Sequence, residues 1–382
     1  MSLADADSAL TDEQRAIRDV VHEFAVEEIR PTAREADAEE SFPEDVWDGL
    51  ADLDLTGLTV PEKYGGFDAD RTTYSIVNEQ VAYGQLAVAT ALSVHCLATS
   101  CIAEFGTDAQ QERWLPEMVD GRPVGMFALS EPQAGSNPAA METVARREGD
   151  EYVLDGEKQW ITNGQRGEVC ILFAKTDRDD PGSITQFLVP KSTDGVEVGR
   201  KEEKLGLRAS DTTQLSFDGA RIPAENRLTE EGKGLSAAFS ILTGGRIGIA
   251  SQAVGLAQAA FDEAKAYAHD REQFDQPIAE IQSIRHTFAE MGTQLQAARL
   301  LVREAARLDD AGEDPRTAAA MAKYFAGEAA VDITNDAVQI LGGYGYMSEF
   351  DVERFYRDSK ITTIYEGTTE IQKKIIARGL LD

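Results

Sequence analysis

Cysteine, histidine and basic residues are all scarce in this 382-residue chain, and each scarcity excludes a class of site. The three cysteines, Cys96, Cys101 and Cys170, form no Cys-x-x-Cys pair, so the sequence predicts neither a disulfide framework nor a zinc site. The four histidines include no His-Glu-x-x-His motif, which argues against a catalytic metal. A chain of this length can bury large cores without such cross-links.

Several cofactor and targeting motifs are also missing. No Gly-x-Gly-x-x-Gly follows a predicted strand, and neither a P-loop nor a Gly-x-Ser-x-Gly elbow is present. A redox cofactor is therefore not held by the commonest dinucleotide motif. No run of 18 apolar residues occurs, and residues 1–10 lack the basic and then apolar pattern of a secretory signal. These absences predict a cytoplasmic protein with reduced thiols and no membrane span.

The charge of the chain is strongly of one sign. The sequence has 37 Lys and Arg against 68 Asp and Glu, a net charge of −31. Such a surface repels nucleic-acid phosphates and anionic lipids, which argues against both as partners. Because high salt screens the repulsion between the acids, we interpret the charge as adaptation to the salty cytoplasm of a halophile. The alternative is one acidic binding face, which the even spread of acids along the chain disfavours.

Hydrophobic periodicity predicts an α+β multidomain fold in the order helical, β, helical. The N-terminal all-α domain contains a helix that begins at a capping box of Thr11 and Gln14, and we expect Pro31 to interrupt that helix. The central domain carries short β runs with a hairpin turn at 149–150 and no long helical pattern, which favours an antiparallel sandwich or barrel. The three predicted domains are 1–120, 121–230 and 231–382.

The third domain predicts a four-helix bundle. Apolar residues recur at spacings of three and four along 281–305 and 321–340, as on helices that bury one face. Helical patterns at 246–268 and 369–378 supply the other two members of the bundle.

Two segments of the predicted β domain could hold a ligand. The first, FALSEPQAGSN at 127–137, is a strand end followed by a turn whose N–H groups and serine hydroxyls could cradle an anion. The second, QWITNG at 159–164, places Trp160 and Thr162 on one side of a strand, where the indole could stack on a planar cofactor. The alternatives are a plain connecting loop and a tryptophan packed in a β core.

Two segments of the helical C-terminal domain are also candidates. In QILGGYGY at 339–346 the glycines end a helix and permit close approach of a ligand to the backbone. In IYEGTTEIQ at 364–372 the carboxyl of Glu366 lies just before a helix. In an apolar pocket the pKa of such an acid rises toward neutrality, which suits a general base. The alternative is one more exposed acid among 68.

Taken together, in this order and at this spacing, the four segments resemble the acyl-CoA dehydrogenase family of flavoenzymes, and its short-chain, butyryl-type members most. The resemblance covers nearly the whole chain, and REQF at 271–274 is similar to the family's Arg-x-x-Phe-Gly. It implies noncovalent FAD between the β domain and the bundle, reached by a neighbouring subunit. The implied cofactor-binding residues are Phe127, Leu129, Ser130, Gly135, Ser136, Trp160, Ile161, Thr162, Arg271, Phe274, Gln282, Gln339, Ile340, Gly342, Gly343, Thr368 and Glu370.

The resemblance also implies the reaction. Glu366 would remove the α-proton of a saturated acyl-CoA while the β-hydrogen leaves as hydride to flavin N5, which yields a trans-2-enoyl-CoA. Some members carry this glutamate one residue before the arginine that is Arg246 here, but this chain has Gly245 there. The implied substrate contacts are Ser136, Leu242, Thr243, Arg246, Tyr365 and Gly367, with Ser93 and Val94 as further candidates for the acyl pocket.

The implied setting is fatty acid β-oxidation. The partners would be the acyl-CoA substrate, an electron-transfer flavoprotein that receives the electrons, and three further copies of the chain in a homotetramer. Two alternatives remain at this point. One is an oxygen-using acyl-CoA oxidase or flavin monooxygenase of the same fold; known oxidases of this type are usually longer, and the monooxygenases usually lack the glutamate. The other is a helical binding protein without catalysis. The sequence leaves the acyl chain length open.

Overall fold

The computed structural model describes residues 10–381 and confirms the predicted order of helices, strands and helices. Residues 1–9, on which the prediction of no export signal depends, lie outside the described residues. The helices are α1 (Asp12–Phe24), α2 (Arg30–Ala38), α3 (Glu44–Asp52), α4 (Arg71–Gly84), α5 (Leu86–Phe105), α6 (Asp108–Val119), α7 (Gly234–Asp270), α8 (Gln282–Asp310), α9 (Arg316–Leu341), α10 (Val352–Ser359) and α11 (Thr369–Leu381). The strands are β1 (Gly125–Ala128), β2 (Val144–Glu148), β3 (Glu151–Thr162), β4 (Val169–Lys175), β5 (Ile184–Pro190), β6 (Val196–Lys201), β7 (Thr212–Pro223), β8 (Glu272–Gln273) and β9 (Gln276–Pro277).

The first helix begins where the sequence predicts but continues past the predicted break. The Oγ1 atom of Thr11 accepts from the N–H of Gln14 at 3.1 Å, and the Thr11 N–H donates to Gln14 Oε1 at 3.1 Å. The prediction that Pro31 interrupts the helix is wrong. A π-helical turn at Ala25–Ile29 leads directly into α2, so the helix continues past Pro31, and the wider turn just before the proline accommodates the N–H that it lacks.

Helix α5 is a buried core helix, although its length and composition alone resemble those of a membrane span. It is long and apolar enough to cross a membrane, with a mean hydropathy of 1.8 over its best window, although polar residues interrupt every apolar run. The rule of 18 uninterrupted apolar residues therefore misses it. Of that window 83% is buried inside the protein, as in the core helix of a folded domain.

The central domain is a curled seven-stranded sheet in the order β1-β4-β2-β3-β7-β6, with β5 beside β4. The predicted hairpin is confirmed, because β2 and β3 pair antiparallel on both sides of the turn at 149–150. Most neighbours are antiparallel, as expected, but β1 runs parallel to β4, and β2 also meets β4 in a parallel pairing at Val144 and Lys175. Strand β6 was not predicted, because it lies at an edge with half of its residues exposed and none buried, and so lacks a strong apolar pattern.

Helices α7, α8, α9 and α11 form the predicted four-helix bundle, which α10 extends. Helix α7 begins at Gly234 rather than at 246, because the glycines, serine and threonine of its first turns weaken the helical pattern. This helix also packs on α4 and α5, so it joins the N-terminal helices to the bundle. The approach is close: a Cβ on Gly255 would lie 2.0 Å from the carbonyl oxygen of Glu79 on α4.

Candidate active site

Glu366 lies in a tight turn between the 3₁₀ turn that ends at Thr363 and helix α11. Its φ is +53°, and that of Gly367 is +93°, so two consecutive residues are left-handed. The Nε2 atom of Gln372 donates to the carbonyl oxygens of both residues, at 3.2 Å and 2.8 Å. Lys323 on α9 donates to the Gly367 carbonyl as well, at 2.7 Å. The turn therefore directs the glutamate side chain away from α9 and α11, toward α7.

The carboxyl of Glu366 rests on the surface of α7. An ideal Cβ on Gly245 would lie 3.3 Å from Oε2 of Glu366 and 3.4 Å from Leu97, so the glycine provides the space that the carboxyl occupies. The residue as a whole is partly buried, but Oε2 is inaccessible to solvent and has no hydrogen-bond partner. Burial raises the pKa of Glu366, and the nearby charges of Arg246 and Lys323 oppose that rise. Such a carboxyl is suited to accept a proton.

Arg246 is the next residue on α7. It is buried, and its Nε atom has no hydrogen-bond partner. Burial lowers its pKa, against the opposite effect of the Glu366 carboxylate. The two predicted residues are therefore brought together at one site.

Beyond Glu366, one to two turns along α7, two tyrosines pack against this helix. The hydroxyl of Tyr74 on α4 lies 3.3 Å from Ser93 Oγ, and a Cβ on Gly248 would lie 2.8 Å from the same hydroxyl. The hydroxyl of Tyr365 donates to Gln252 Oε1 at 3.2 Å. The sequence analysis predicted Ser93 and Tyr365 here but missed Tyr74. The sequence gives little indication of a functional role for Tyr74, because an aromatic residue in an apolar helix usually packs in the core.

The two predicted ligand segments of the β domain meet in the structure. The N–H of Gln159 donates to the carbonyl of Ser130 at 2.9 Å, and a Cβ on Gly135 would lie 4.0 Å from the Trp160 ring. Strand β3 is irregular between Lys158 and Ile161, where Trp160 has a φ of +59° and an exposure of 56%. This irregularity turns the indole outward, so the alternative of a tryptophan packed in a β core does not hold.

The other predicted residues around this surface differ in how deeply they are buried. Phe127 packs against Phe173, with ring centroids 4.8 Å apart. Ile161 is 2% exposed in the core of the sheet, so only its backbone could face a ligand. Leu129, Ser130 and Thr162 are partly buried, and Ser136 is exposed on the loop.

The second half of the predicted cofactor site forms a cleft of about 550 Å³ at one end of the bundle. Arg271, Phe274, Ile340 and Gly343 contribute to its lining, which contains no residue of the β domain and not Glu366. Phe274 is 86% exposed. The remaining predicted residues of this half, which are exposed, are Gln282, Gln339 and Gly342.

The remaining predicted residues lie near Glu366 or along α7. Thr368 Oγ1 accepts from the N–H of Ile371 at 3.5 Å, and Glu370 is exposed in the first turn of α11. Thr243 is buried and donates to the Phe239 carbonyl of its own helix at 3.0 Å. Leu242 and Val94 are partly buried, and no contact of Val94 with this site is evident. Within residues 10–381, no three histidines, cysteines or acids are grouped as metal ligands would be.

Comparison with known proteins gives a consistent result over the whole chain. Residues 11–122 match the N-terminal domain of acyl-CoA dehydrogenases, residues 126–220 the middle domain and residues 232–381 the C-terminal domain. These matches cover all three parts of the fold described above.

Curated relatives and solved structures agree. The mitochondrial short-chain specific acyl-CoA dehydrogenase of Rattus norvegicus is 43% identical over 97% of this chain and 91% of its own. Acryloyl-CoA reductase (NADH) of Anaerotignum propionicum is 41% identical over 98% and 96%. Butyryl-CoA dehydrogenase of Megasphaera elsdenii superposes with a TM-score of 0.95 at 40% identity, covering 98% of this chain and 99% of that one.

One further structural neighbour concerns electron transfer. A chain of the structure reported for the electron transferring flavoprotein of Acidaminococcus fermentans superposes with a TM-score of 0.96 at 38% identity, covering 98% and 99%. The matched domains, the identities and the superpositions all extend over nearly the full length. The chain therefore belongs to the acyl-CoA dehydrogenase family.

Proposed function

We propose that this acyl-CoA dehydrogenase oxidises a short saturated acyl-CoA to the trans-2-enoyl-CoA, with Glu366 as the base. The observation that carries the proposal is the Glu366 carboxyl, whose Oε2 is shielded from water, lacks a partner and faces the space left by Gly245. A carboxylate in such a place gains proton affinity because water is excluded and Oε2 accepts no hydrogen bond, although Arg246 and Lys323 oppose part of this gain.

The residues present fit FAD, the cofactor of this family. Trp160 offers an exposed aromatic face beside a loop of small residues with two serine hydroxyls, which suits the flavin end. Arg271 and Phe274 line an open cleft that suits the adenosine and diphosphate, and we expect it to be completed by a neighbouring subunit. Neither Gly342 nor Gly343 has an atom within 4 Å of an added Cβ, which leaves room at this end of the bundle. When bound, FAD supplies the hydride acceptor.

The protein supplies the proton chemistry and the positioning. Glu366 takes the α-proton, and the β-hydrogen leaves with its electron pair, so the substrate loses two hydrogens and gains a double bond. Within residues 10–381, no hydrogen bond uses the N–H of Glu366. That N–H is therefore free to donate to the thioester carbonyl as negative charge develops there. Arg246 adds a positive charge near the Glu366 carboxyl.

The acyl pocket supports a short chain. Tyr74 and Tyr365 occupy the space beyond Glu366, and their hydroxyls are engaged with Ser93 and Gln252. A long alkyl chain would have to displace the buried ring of Tyr74 and the partly buried ring of Tyr365. The likeness to short-chain and butyryl-type relatives supports the same choice.

We further propose an electron-transfer flavoprotein as the electron acceptor, in line with the structural neighbour from Acidaminococcus. The assembly proposed is a homotetramer in the cytoplasm, and the net charge of −31 supports a halophilic source. Gel filtration with light scattering across a salt series tests both: a tetramer that dissociates at low salt is expected, whereas a stable monomer in high salt contradicts the assembly.

A second candidate is the same chemistry run in reverse, as an enoyl-CoA reductase. The specific observation in its favour is the 41% identity to an acryloyl-CoA reductase, which is close to the identity with the dehydrogenases. The same acid and the same hydride carrier serve both directions, so the site geometry does not separate them. The reductase would be favoured if the enzyme reduced an enoyl-CoA with a physiological donor at a higher rate than it oxidised butyryl-CoA.

The deciding experiment is anaerobic bleaching of the bound flavin by a panel of acyl-CoAs of graded length and branching. We expect butyryl-CoA to bleach it fastest, with dye reduction and little peroxide in air. Rapid peroxide formation would favour an oxidase, and a purified protein without flavin absorbance a binding protein. Glu366→Gln should keep its flavin and lose turnover by about 10²-fold to 10⁴-fold, the usual contribution of a general base. Near-full turnover of this variant would refute the base assignment.

A further inference from the structure

Lys323 on α9 is a buried cation beside the active-site turn that the sequence analysis did not single out. The residue is 1% exposed, and its ammonium donates to the Gly367 carbonyl at 2.7 Å. Burial of an ammonium group is costly unless nearby charges and acceptors compensate. Burial lowers its pKa to about 8, and the nearest opposing influence is the Glu366 carboxylate. The position of this lysine is therefore tied to the active site.

The turn that Lys323 contacts needs external support. Glu366 is a non-glycine residue in the left-handed region, a conformation that costs about 1–3 kcal/mol and persists only where the surroundings impose it. Two buried side chains do so here, Lys323 from α9 and Gln372 from α11, and both donate to the Gly367 carbonyl. Glu328, also on α9, accepts from the hydroxyl of Thr369 at 2.8 Å. Helix α9 thus holds the turn at two points.

Several charged groups face Lys323. Glu366 favours its charged form most, Arg246 on α7 opposes it, and Glu328 and Glu370 favour it further. Glu328 is already engaged by Thr369, and Glu370 is exposed. The buried charges at the centre of the site are therefore one carboxylate and two cations.

We propose that Lys323 is a positioning residue for this reaction: it fixes the Glu366–Gly367 turn through the Gly367 carbonyl, and its positive charge favours the ionised form of Glu366, which accepts the proton. The proposal rests on the proposed role of Glu366 as base. The proposal gives Lys323 a part in the reaction that it plays through the Glu366–Gly367 turn.

The chain offers a matched pair of variants. Lys323→Met and Gln372→Met each remove a hydrogen bond to the Gly367 carbonyl. Gln372→Met also removes the bond to the Glu366 carbonyl, whereas only Lys323→Met removes a positive charge. We expect both to lower kcat by about tenfold or more through misplacement of Glu366, with KM changed less. Only Lys323→Met should move the acidic limb of the kcat profile to higher pH, because the carboxylate has lost a stabilising cation.

A readout without turnover uses stability. The pKa of Glu366 is raised in the folded protein, so its proton contributes stability at low pH that is lost as pH rises through the folded pKa. The difference in unfolding midpoint between the holoenzyme and its Glu366→Gln variant should record this loss from pH 4 to 9. In the Lys323→Met background, the loss should occur at higher pH, whereas in the Gln372→Met background it should stay in place.

The outcomes are distinct. An acidic limb and a stability profile that do not move in Lys323→Met would overturn the proposal, even with Glu366→Gln inactive. If Lys323→Met does not fold, Lys323→Gln and Lys323→Arg replace it, and a shift in both or in neither refutes the role of the charge. Full activity of Glu366→Gln would instead refute the proposed function.

Discussion

The buried ion pair of Lys158 and Glu131 joins the two ligand segments of the β domain, and its loss should release both. Lys158 is fully buried, Glu131 is 2% exposed, and their charged atoms lie 2.7 Å apart. Glu131 also accepts from the N–H groups of Glu142 at 2.6 Å and Thr143 at 3.1 Å. Burial raises the pKa of Glu131, but the charge of Lys158 and the hydrogen bonds that the carboxylate accepts together outweigh burial and hold that pKa below its usual value. The carboxylate is therefore charged and enclosed.

The magnitude follows from what each substitution leaves behind. Lys158→Met leaves the buried carboxylate of Glu131 with its two backbone donors but without a countercharge. Breaking a buried ion pair in this way costs about 3–5 kcal/mol of stability, and because the backbone donors remain we expect a cost near the lower end, about 3 kcal/mol. Glu131→Met should cost more, because two buried N–H groups also lose their acceptor at about 1–3 kcal/mol each. The double variant Lys158→Met/Glu131→Gln removes both charges and keeps an acceptor, so it should recover most of the loss.

Hydrogen exchange of the holoenzyme suits a chain of several domains, since it does not assume two-state unfolding. A loss of about 3 kcal/mol corresponds to a fall in protection of roughly two orders of magnitude at 129–137 and 158–162. Flavin content should fall in parallel. Lys233→Met, at an exposed lysine, is the matched control and should change neither. Protection in Lys158→Met within threefold of wild type, with full flavin content, would refute the reasoning.

Two further predictions concern α7 and α10. Gly245→Ala should lower turnover by about tenfold or more with flavin retained, because the new methyl lies 3.3 Å from Oε2 of Glu366 and displaces the base. The control Gly292→Ala, whose methyl would have its nearest contact at 3.8 Å, should leave turnover unchanged. Full turnover of Gly245→Ala would show that the carboxyl of Glu366 lies elsewhere. Burial raises the pKa of Asp358 from 3.8 to about 6. The bound proton therefore stabilises the folded protein fully below about pH 4, and this stabilisation is lost as the pH rises through 6. The free energy of unfolding should fall by about 3 kcal/mol over that range. Asp358→Asn should flatten this slope in thermal unfolding from pH 3.5 to 7.5, and an unchanged slope would assign it to other groups.

Much of the fold could be predicted from local pattern. The capping box of Thr11, the hairpin at 149–150 and the apolar spacing of 281–305 each depend on residues close together in sequence, and all three are confirmed. Local pattern failed where the context is nonlocal. Pro31 enters a helix through a π-helical turn, and the edge strand β6 has no buried face to reveal it.

The candidate site shows the same division. Ordered motifs of four short segments identified the family, and the resemblance made Glu366 the candidate base. No motif indicated Tyr74, Lys158 or Lys323, since a buried aromatic or a buried lysine has no distinctive sequence neighbourhood.

The amino-acid order by itself determined the succession of helices and strands, the family and the identity of the candidate base, because these depend on periodicity and on short motifs. Only the tertiary structure decided that Oε2 of Glu366 rests on Gly245 without a hydrogen-bond partner, and that Lys323 and Gln372 hold its turn. The physical reason is that burial and proton affinity depend on groups brought together from distant parts of the chain, and the distance between them in space cannot be read from their separation in sequence.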